Sequence, residues 1–178
     1  MVDSNVARIR PADEKSFRLA PHNIEAEQAL LGAILVNNEA FYRVSDFLLA
    51  EHFYEPVHRE IYEIAGKIIR AGKAATPITV KTYLPDQLVA DVTMPQYLAR
   101  LAAEATTVLN AADYGQTIYD LAIRRTLIQI GEETVATAYD ADVEMTAAKQ
   151  IEEAEKSLFD LAEKGRYDGG FQAFNEAL

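Results

Sequence analysis

The stretch from Asn110 to Gly165 constrains the fold most, because its spacing predicts two long helices folded back on each other. The first arm, from about Ala111 to Tyr139, carries two apolar stripes. At ~100° per residue Tyr114, Ile118, Leu121, Ile128, Val135 and Tyr139 share one face, and Ile123, Leu127, Ile130 and Thr134 lie roughly 150° away. A surface helix needs one apolar face, so two predict two packing partners. The second arm, from about Thr146 to Lys164, spaces Ala147, Ile151, Ala154, Leu158 and Leu161 alternately four and three apart, a coiled-coil-like seam. One seam closes the hairpin around a tip at Asp140–Glu144, which leaves an apolar face over.

Ahead of the hairpin, residues 1–20 show little periodicity and are interrupted by Pro11 and followed by Pro21, the pattern of a mobile arm. Asn23 is placed to cap a first helix, with Glu25 and Glu27 in the turn where the helix dipole favours carboxylates. Glu27, Leu30, Leu31, Ile34 and Leu35 follow helical spacing, and Gly32 lets a neighbouring backbone come close. Asn38 is read as the cap of a second helix running to Leu49. Pro56 opens a third, with Val57, Ile61, Ile64, Ala65 and Ile68 inward and Gly72 at its end. Residues 74–80 have strand propensity but no partner strand, so they read as a loop into a short helix from Thr79. A fifth helix spans about Pro95–Ala105, and Asn110, with Asp113 three residues on, resembles a capping box for the long arm. Beyond Gly165, Asp168-Gly169-Gly170 signals a linker and Phe171–Leu178 the start of another helix. The expected architecture is all-α: a five-helix globular unit over residues 21–109, a helical hairpin over 110–165, and a linker over 166–178.

The charge balance narrows the partners. Against 17 basic side chains stand 28 acidic ones, a net −11 with no basic cluster, which repels phosphate backbones. No direct nucleic-acid binding is therefore expected, and the partner is expected to be a protein. There is no cysteine, hence no disulfide, thiolate metal site or cysteine nucleophile. No apolar run approaches the ~18 residues of a membrane span, and no signal-peptide core is present. Together these predict a cytoplasmic, protein-binding chain.

Three patterns invite a chemical reading. Gly66 and Gly72-Lys73 faintly resemble a phosphate-binding loop, but five residues separate the glycines and Ala74 replaces the hydroxyl. Helix plus C-cap is the better reading. Glu55-x-x-His58 matches half of a di-iron motif without the second copy, and Pro56 puts Glu55 at a cap, so no metal site is expected. The clusters Glu132/Glu133 and Glu152/Glu153/Glu155 point in divergent directions around a helix and read as solvated faces. Arg125 is stranger, since it falls on the stripe of Ile118, Leu121 and Ile128. An ion pair with Glu132 one heptad on is one reading; a packed stem with its head in water is the other. None of this forms a catalytic set.

The ordered motifs carry a resemblance. Pro21-His22-Asn23-Ile24-Glu25-Ala26-Glu27-Gln28 with Leu31-Gly32 resembles the opening of DnaB-type replicative DNA helicases. His52-Phe53-Tyr54, His58-Arg59 and Ile61 resemble a second block of that family, followed in order by Thr79-Val80, Tyr97-Leu98, Asn110, Tyr114, Arg125 with Leu127-Ile128, Ala154-Glu155 and Leu158-Phe159. The chain departs from it at Met94-Pro95, where the family often has Gly-Gly, and at Thr76, where it often has Asp. The resemblance implies the N-terminal domain of such a helicase, with its ATP- and Mg²⁺-dependent motor after Leu178 and no cofactor in this part. It implies self-association of hairpins, as dimers within a trimer of dimers, and docking of the C-terminal helical domain of primase. Self-association is assigned to Ile123, Leu127, Ile130, Thr134, Leu158 and Phe159, and partner docking to Thr76, Tyr97 and Arg125. The alternative is a stand-alone helical adaptor without a motor.

Overall fold

The computed structural model describes residues 18–105 and 110–167; most of the expected arm and the linker from Asp168 onward lie outside the described residues. Among the described residues seven α-helices run in the order α1 (Ile24–Val36), α2 (Glu39–Tyr42), α3 (Pro56–Arg70), α4 (Pro77–Lys81), α5 (Met94–Ala103), α6 (Ala111–Tyr139) and α7 (Ala147–Tyr167). A 3-10 turn, Ala50–His52, precedes α3, and a small antiparallel ribbon, β1 (Leu88–Val89) with β2 (Val92–Thr93), precedes α5.

The centre is α1. Asn23 caps it by accepting the Ala26 N–H at 2.9 Å. From Leu30 to Leu35 it is buried on every side, packed by α3, α5 and α6, as a helix apolar all round must be. Gly32 has the reason expected of it: a Cβ there would collide with the backbone carbonyl of Leu101 on α5. Phe41, Phe53, Ile61, Leu98 and Ile118 fill the space around α1, each fully buried, so that each contributes roughly 1.5–3 kcal/mol. Gly72, at φ +72°, ends α3 in the left-handed conformation that favours glycine.

Several local expectations change. The second helix does not reach Leu49 but stops at Tyr42, with turns carrying Val44 and Leu48 inward. Asn38 does not cap it. Its side-chain amide donates to the Ile34 and Ala75 carbonyls, at 2.8 Å each, and accepts the Ala75 N–H at 3.0 Å, tying the end of α1 to the loop before α4. Helix α4 begins two residues earlier than expected, because Thr76 caps it reciprocally with Thr79 and Pro77 takes the first helical position. The β1–β2 ribbon was not expected; its turn puts Ala90 and Asp91 at φ 47° and 67°, without the glycine that would have signalled it. Asn110 has helical backbone angles and makes no side-chain capping bond.

Helix α6 belongs to two environments. Its first half buries Ala111, Gly115, Ile118, Tyr119 and Ala122 against the head formed by α1 to α5. Its second half leaves the head and is accompanied by α7, whose principal neighbour is α6.

Candidate functional site

Two features stand out among the described residues: an exposed, largely apolar side of the hairpin, and the polar network that moors the hairpin to the head. The network starts from a carboxylate on an apolar face. Glu27, on α1, is 1% exposed and accepts the Tyr54 N–H at 2.6 Å and the Glu55 N–H at 3.3 Å. It also bonds Nδ1 of the fully buried His58 at 2.7 Å. On the other side of the imidazole, Nε2 lies 2.6 Å from the Tyr97 hydroxyl, which accepts from Gln28 Nε2 at 3.2 Å. With the His58 proton on Nδ1, the imidazole donates to Glu27 and accepts from Tyr97, and every buried polar atom in the row is partnered. Burial raises the Tyr97 phenol, with the Gln28 bond opposing and the nearby Glu55 charge adding to the rise.

Arg125 closes the network from the hairpin. Its guanidinium donates to the Pro21 carbonyl at 2.7 Å and the His52 carbonyl at 2.6 Å, and lies over the Tyr54 ring, 5.6 Å from its centroid. His22 stacks on the same tyrosine at 4.2 Å. Arg59 holds the segment from α3 by donating to the Phe53 and Tyr54 carbonyls at 2.6 and 3.2 Å. The hydrogen-bond partners of Arg125 among the described residues are thus two backbone carbonyls of the head, and not Glu132. Loss of water holds its guanidinium below the usual arginine value, while the Glu27 charge pulls the other way.

The hairpin interior differs from the expected seam. Ile130, Thr134 and Thr137 of α6 face Gln150, Ala154 and Ser157 of α7 across a narrow crevice, and Gln150 Nε2 donates to the Thr134 carbonyl at 2.7 Å. Relative to the predicted seam, α7 is turned by about 50°, so that Ala154 stays inside while Ile151 and Leu158 move to the flank. The predicted second stripe of α6 is divided in the same way. Ile123 packs on the core, Ile130 and Thr134 line the crevice, and Leu127 faces out. With α6 and α7 antiparallel, the outward positions share one side: Leu127, Gly131 and Ala138 of α6 beside Ile151 and Leu158 of α7, flanked by Ile128, Val135 and Phe159, with Arg124 and Glu155 the charges among them. Leu127 is 45% exposed, Ile128 46%, Val135 56%, Ile151 59%, Leu158 48% and Phe159 63%. The opposite side carries Gln129, Glu133, Lys149, Glu153, Lys156 and Asp160. The hairpin is amphipathic across its width.

The residues assigned to docking lie apart in role. Tyr97 is buried in the relay, Arg125 is engaged in the mooring, and Thr76 is half-buried as the α4 cap. Glu55 stands at the N-cap position of α3 without a side-chain capping bond, and both ring nitrogens of His58 are engaged. Among the described residues no group of three or more His, Cys, Asp or Glu side chains is placed to hold a metal ion, and no helix is long and apolar enough to cross a membrane. Sequence reasoning missed the roles of Glu27 and Tyr54; the available signal was a carboxylate spaced with Leu30, Leu31 and Ile34.

Comparison with known proteins decides the family. Residues 19–120, the head and the moored part of α6, match the family described as the DnaB-like helicase N terminal domain. The chain belongs to that family. It is 47% identical over 170 residues to the replicative DNA helicase DnaB of Rickettsia felis, covering 95% of this chain and 34% of that protein. It is 33% identical over 145 residues to DnaB of Pasteurella multocida, covering 81% and 31%. The crystal structure of the N-terminal domain of DnaB helicase from Mycobacterium tuberculosis superposes with a TM-score of 0.69 at 26% identity, over 80% of this chain and 99% of that one. A structure of a DnaB-like replicative helicase and its interactions with primase gives a TM-score of 0.61 at 25% identity, over 78% and 31%. The chain spans about a third of the length of the curated relatives it matches. In this DnaB-type N-terminal domain, the blocks at 21–32 and 52–61 that resembled the family supply most of the head's side of the mooring, which Tyr97 extends and Arg125 closes.

Proposed function

We propose that this chain is the N-terminal collar of a replicative DNA helicase, that copies of it pair through the apolar side of the α6–α7 hairpin, and that primase docks on the assembly. The observation that carries the pairing is the single apolar side, where six large side chains are each roughly half-exposed. Covering the exposed half of each contributes roughly 1 kcal/mol apiece on each copy, a driving force set against the entropic cost of association. In this reading Leu127, Leu158 and Phe159 form the contact, Ile123 supports it from the core, and Ile130 and Thr134 set the spacing of the two helices. The motor, with its ATP and Mg²⁺, follows Leu178 in the whole protein and supplies the unwinding. Primase docking is supported by the relative studied for its interactions with primase.

Sedimentation equilibrium of the wild type, Leu127→Asp, Leu158→Asp and a polar-side control, Lys149→Glu, tests the pairing. The two aspartates are expected to leave monomers and the control to associate normally; association unchanged by both aspartates refutes the surface. Titration with the C-terminal helical domain of primase is expected to saturate, and no binding by folded protein would count against docking.

A further inference from the structure

The hairpin leaves the head along one helix. Among the described residues the first half of α6 is packed on α1, with the Tyr119 ring edge-on to Phe47 and His52, and the principal neighbour of the second half is α7. At the boundary stands Arg125, three residues beyond the last buried position, Ala122. We propose that Arg125 is a positioning residue that sets the direction in which the hairpin leaves the head, and that Glu27 acts through it by holding the Tyr54 shelf on which the guanidinium lies. Apolar packing fixes where the first half of α6 lies on the head, with Gly115 close against Val44, but its buried part ends at Ala122, before the point at which the helix leaves. A planar guanidinium donating in two directions, to Pro21 O at 2.7 Å and His52 O at 2.6 Å, and resting on the Tyr54 ring, fixes the direction at that point. The shelf has its own supports. The Tyr54 N–H is bonded to Glu27 at 2.6 Å, its carbonyl accepts from Arg59, and His22 stacks on its ring. The fastening also joins segments 104 and 73 residues distant from Arg125, so it is a purely tertiary device. It stands whether or not hairpins pair, because every contact lies within one chain.

The lever makes it measurable. From Arg125 to Ala136 the helix extends about 16 Å, so a pivot of ~15° at Arg125 moves Ala136 by about 4 Å. The chain has no cysteine, so Glu60→Cys on α3 and Ala136→Cys on the polar side of the hairpin can be spin-labelled without background. Double electron–electron resonance on labelled chain diluted into an excess of unlabelled chain reads the distance within one molecule, independent of pairing. The wild type is expected to give a single narrow distribution. Arg125→Ala and Arg125→Lys are expected to broaden it or shift it by about 4 Å, lysine failing because a compact ammonium lacks the planar fork that meets both carbonyls in fixed directions while lying on the Tyr54 ring. Glu27→Gln is expected to broaden it less. A role in stability alone would lower the melting temperature of the arginine variants and leave the distribution narrow. A wild-type distribution in both arginine variants, with a cooperative fold retained, overturns the proposal; Arg125→Lys keeps the test valid if alanine fails to fold.

Discussion

Replacing Glu27 by Gln changes one atom of a buried side chain and tests whether the relay is held together by a carboxylate. The two carboxylate oxygens receive three bonds: Tyr54 N–H at 2.6 Å on one, and Glu55 N–H at 3.3 Å and His58 Nδ1 at 2.7 Å on the other. An amide keeps one acceptor. Whichever way it is turned, its NH₂ group meets either the Tyr54 N–H or the Glu55 N–H, so a donor faces a donor in a site that water does not reach. Losing a buried charge-assisted bond and leaving its donor unpaired costs about 3 kcal/mol. For a chain of this size that lowers the melting temperature by roughly 6–12 °C. Urea unfolding followed by far-ultraviolet circular dichroism measures it directly, at unchanged m-value if the native state keeps its compactness. A loss below about 1 kcal/mol would refute the reasoning, since it would mean that the amide finds partners or that the carboxylate contributes little. A useful contrast is Lys67→Met, which breaks an exposed pair with Glu63 within α3 and is expected to leave the urea midpoint where it was.

Further outcomes follow from the core. Burial pushes the Tyr62 phenol well above its ordinary value, and Tyr97 is raised in the same direction for the same first cause. Both keep their proton in the folded chain after the unfolded chain has lost it, so their contribution is intact below about pH 10 and falls as pH rises beyond that. Tyr62→Phe should remove the bond to the Leu48 carbonyl, costing about 1 kcal/mol at neutral pH, and flatten the alkaline fall; an unchanged alkaline slope in urea titrations speaks against the assignment. Gly32→Ala is expected to cost ~2–3 kcal/mol, because the added methyl meets the Leu101 backbone carbonyl rather than a movable side chain. A midpoint within error of the wild type would show that α5 moves away freely.

What the sequence made legible is local chemistry with a short reach. Asn23 as a cap, Pro56 as a first helical residue and Gly32 as a close approach each follow from one residue's own conformational limits, and each is found in place. The two long arms were legible for the same reason, since periodicity over twenty residues or more outweighs local noise. Asn38 shows where that reach ends. Its amide is equally able to cap a helix or to bridge two backbones, and only the arrival of Ala75 from 37 residues away decides it. The seam of α7 shows a second limit. Periodicity reports which face is apolar and says nothing about what covers it, so a face meant for the outside looks like one meant for the inside. Here a polar Gln150 with Ala154 and Ser157 turned inward, and Ile151 and Leu158 were left on the flank. The β1–β2 turn was unreadable because Ala90 and Asp91 adopt angles that their types rarely signal. Arg125 looked anomalous on its stripe because its partners are carbonyls, which every residue carries and no motif records.

The one-sidedness of the hairpin also bears on symmetry. A pair formed face to face about a twofold axis uses the same surface on both copies and consumes it, so that what remains outward is the charged side with Lys149, Glu153, Lys156 and Asp160. Such a pair closes on itself. A hairpin apolar on both sides would instead offer each newcomer a fresh surface, closing into a ring or running on as a filament according to the rotation. If copies pair through the apolar side, a ring larger than two needs a second contact made elsewhere, on the head or on the charged side of the hairpin.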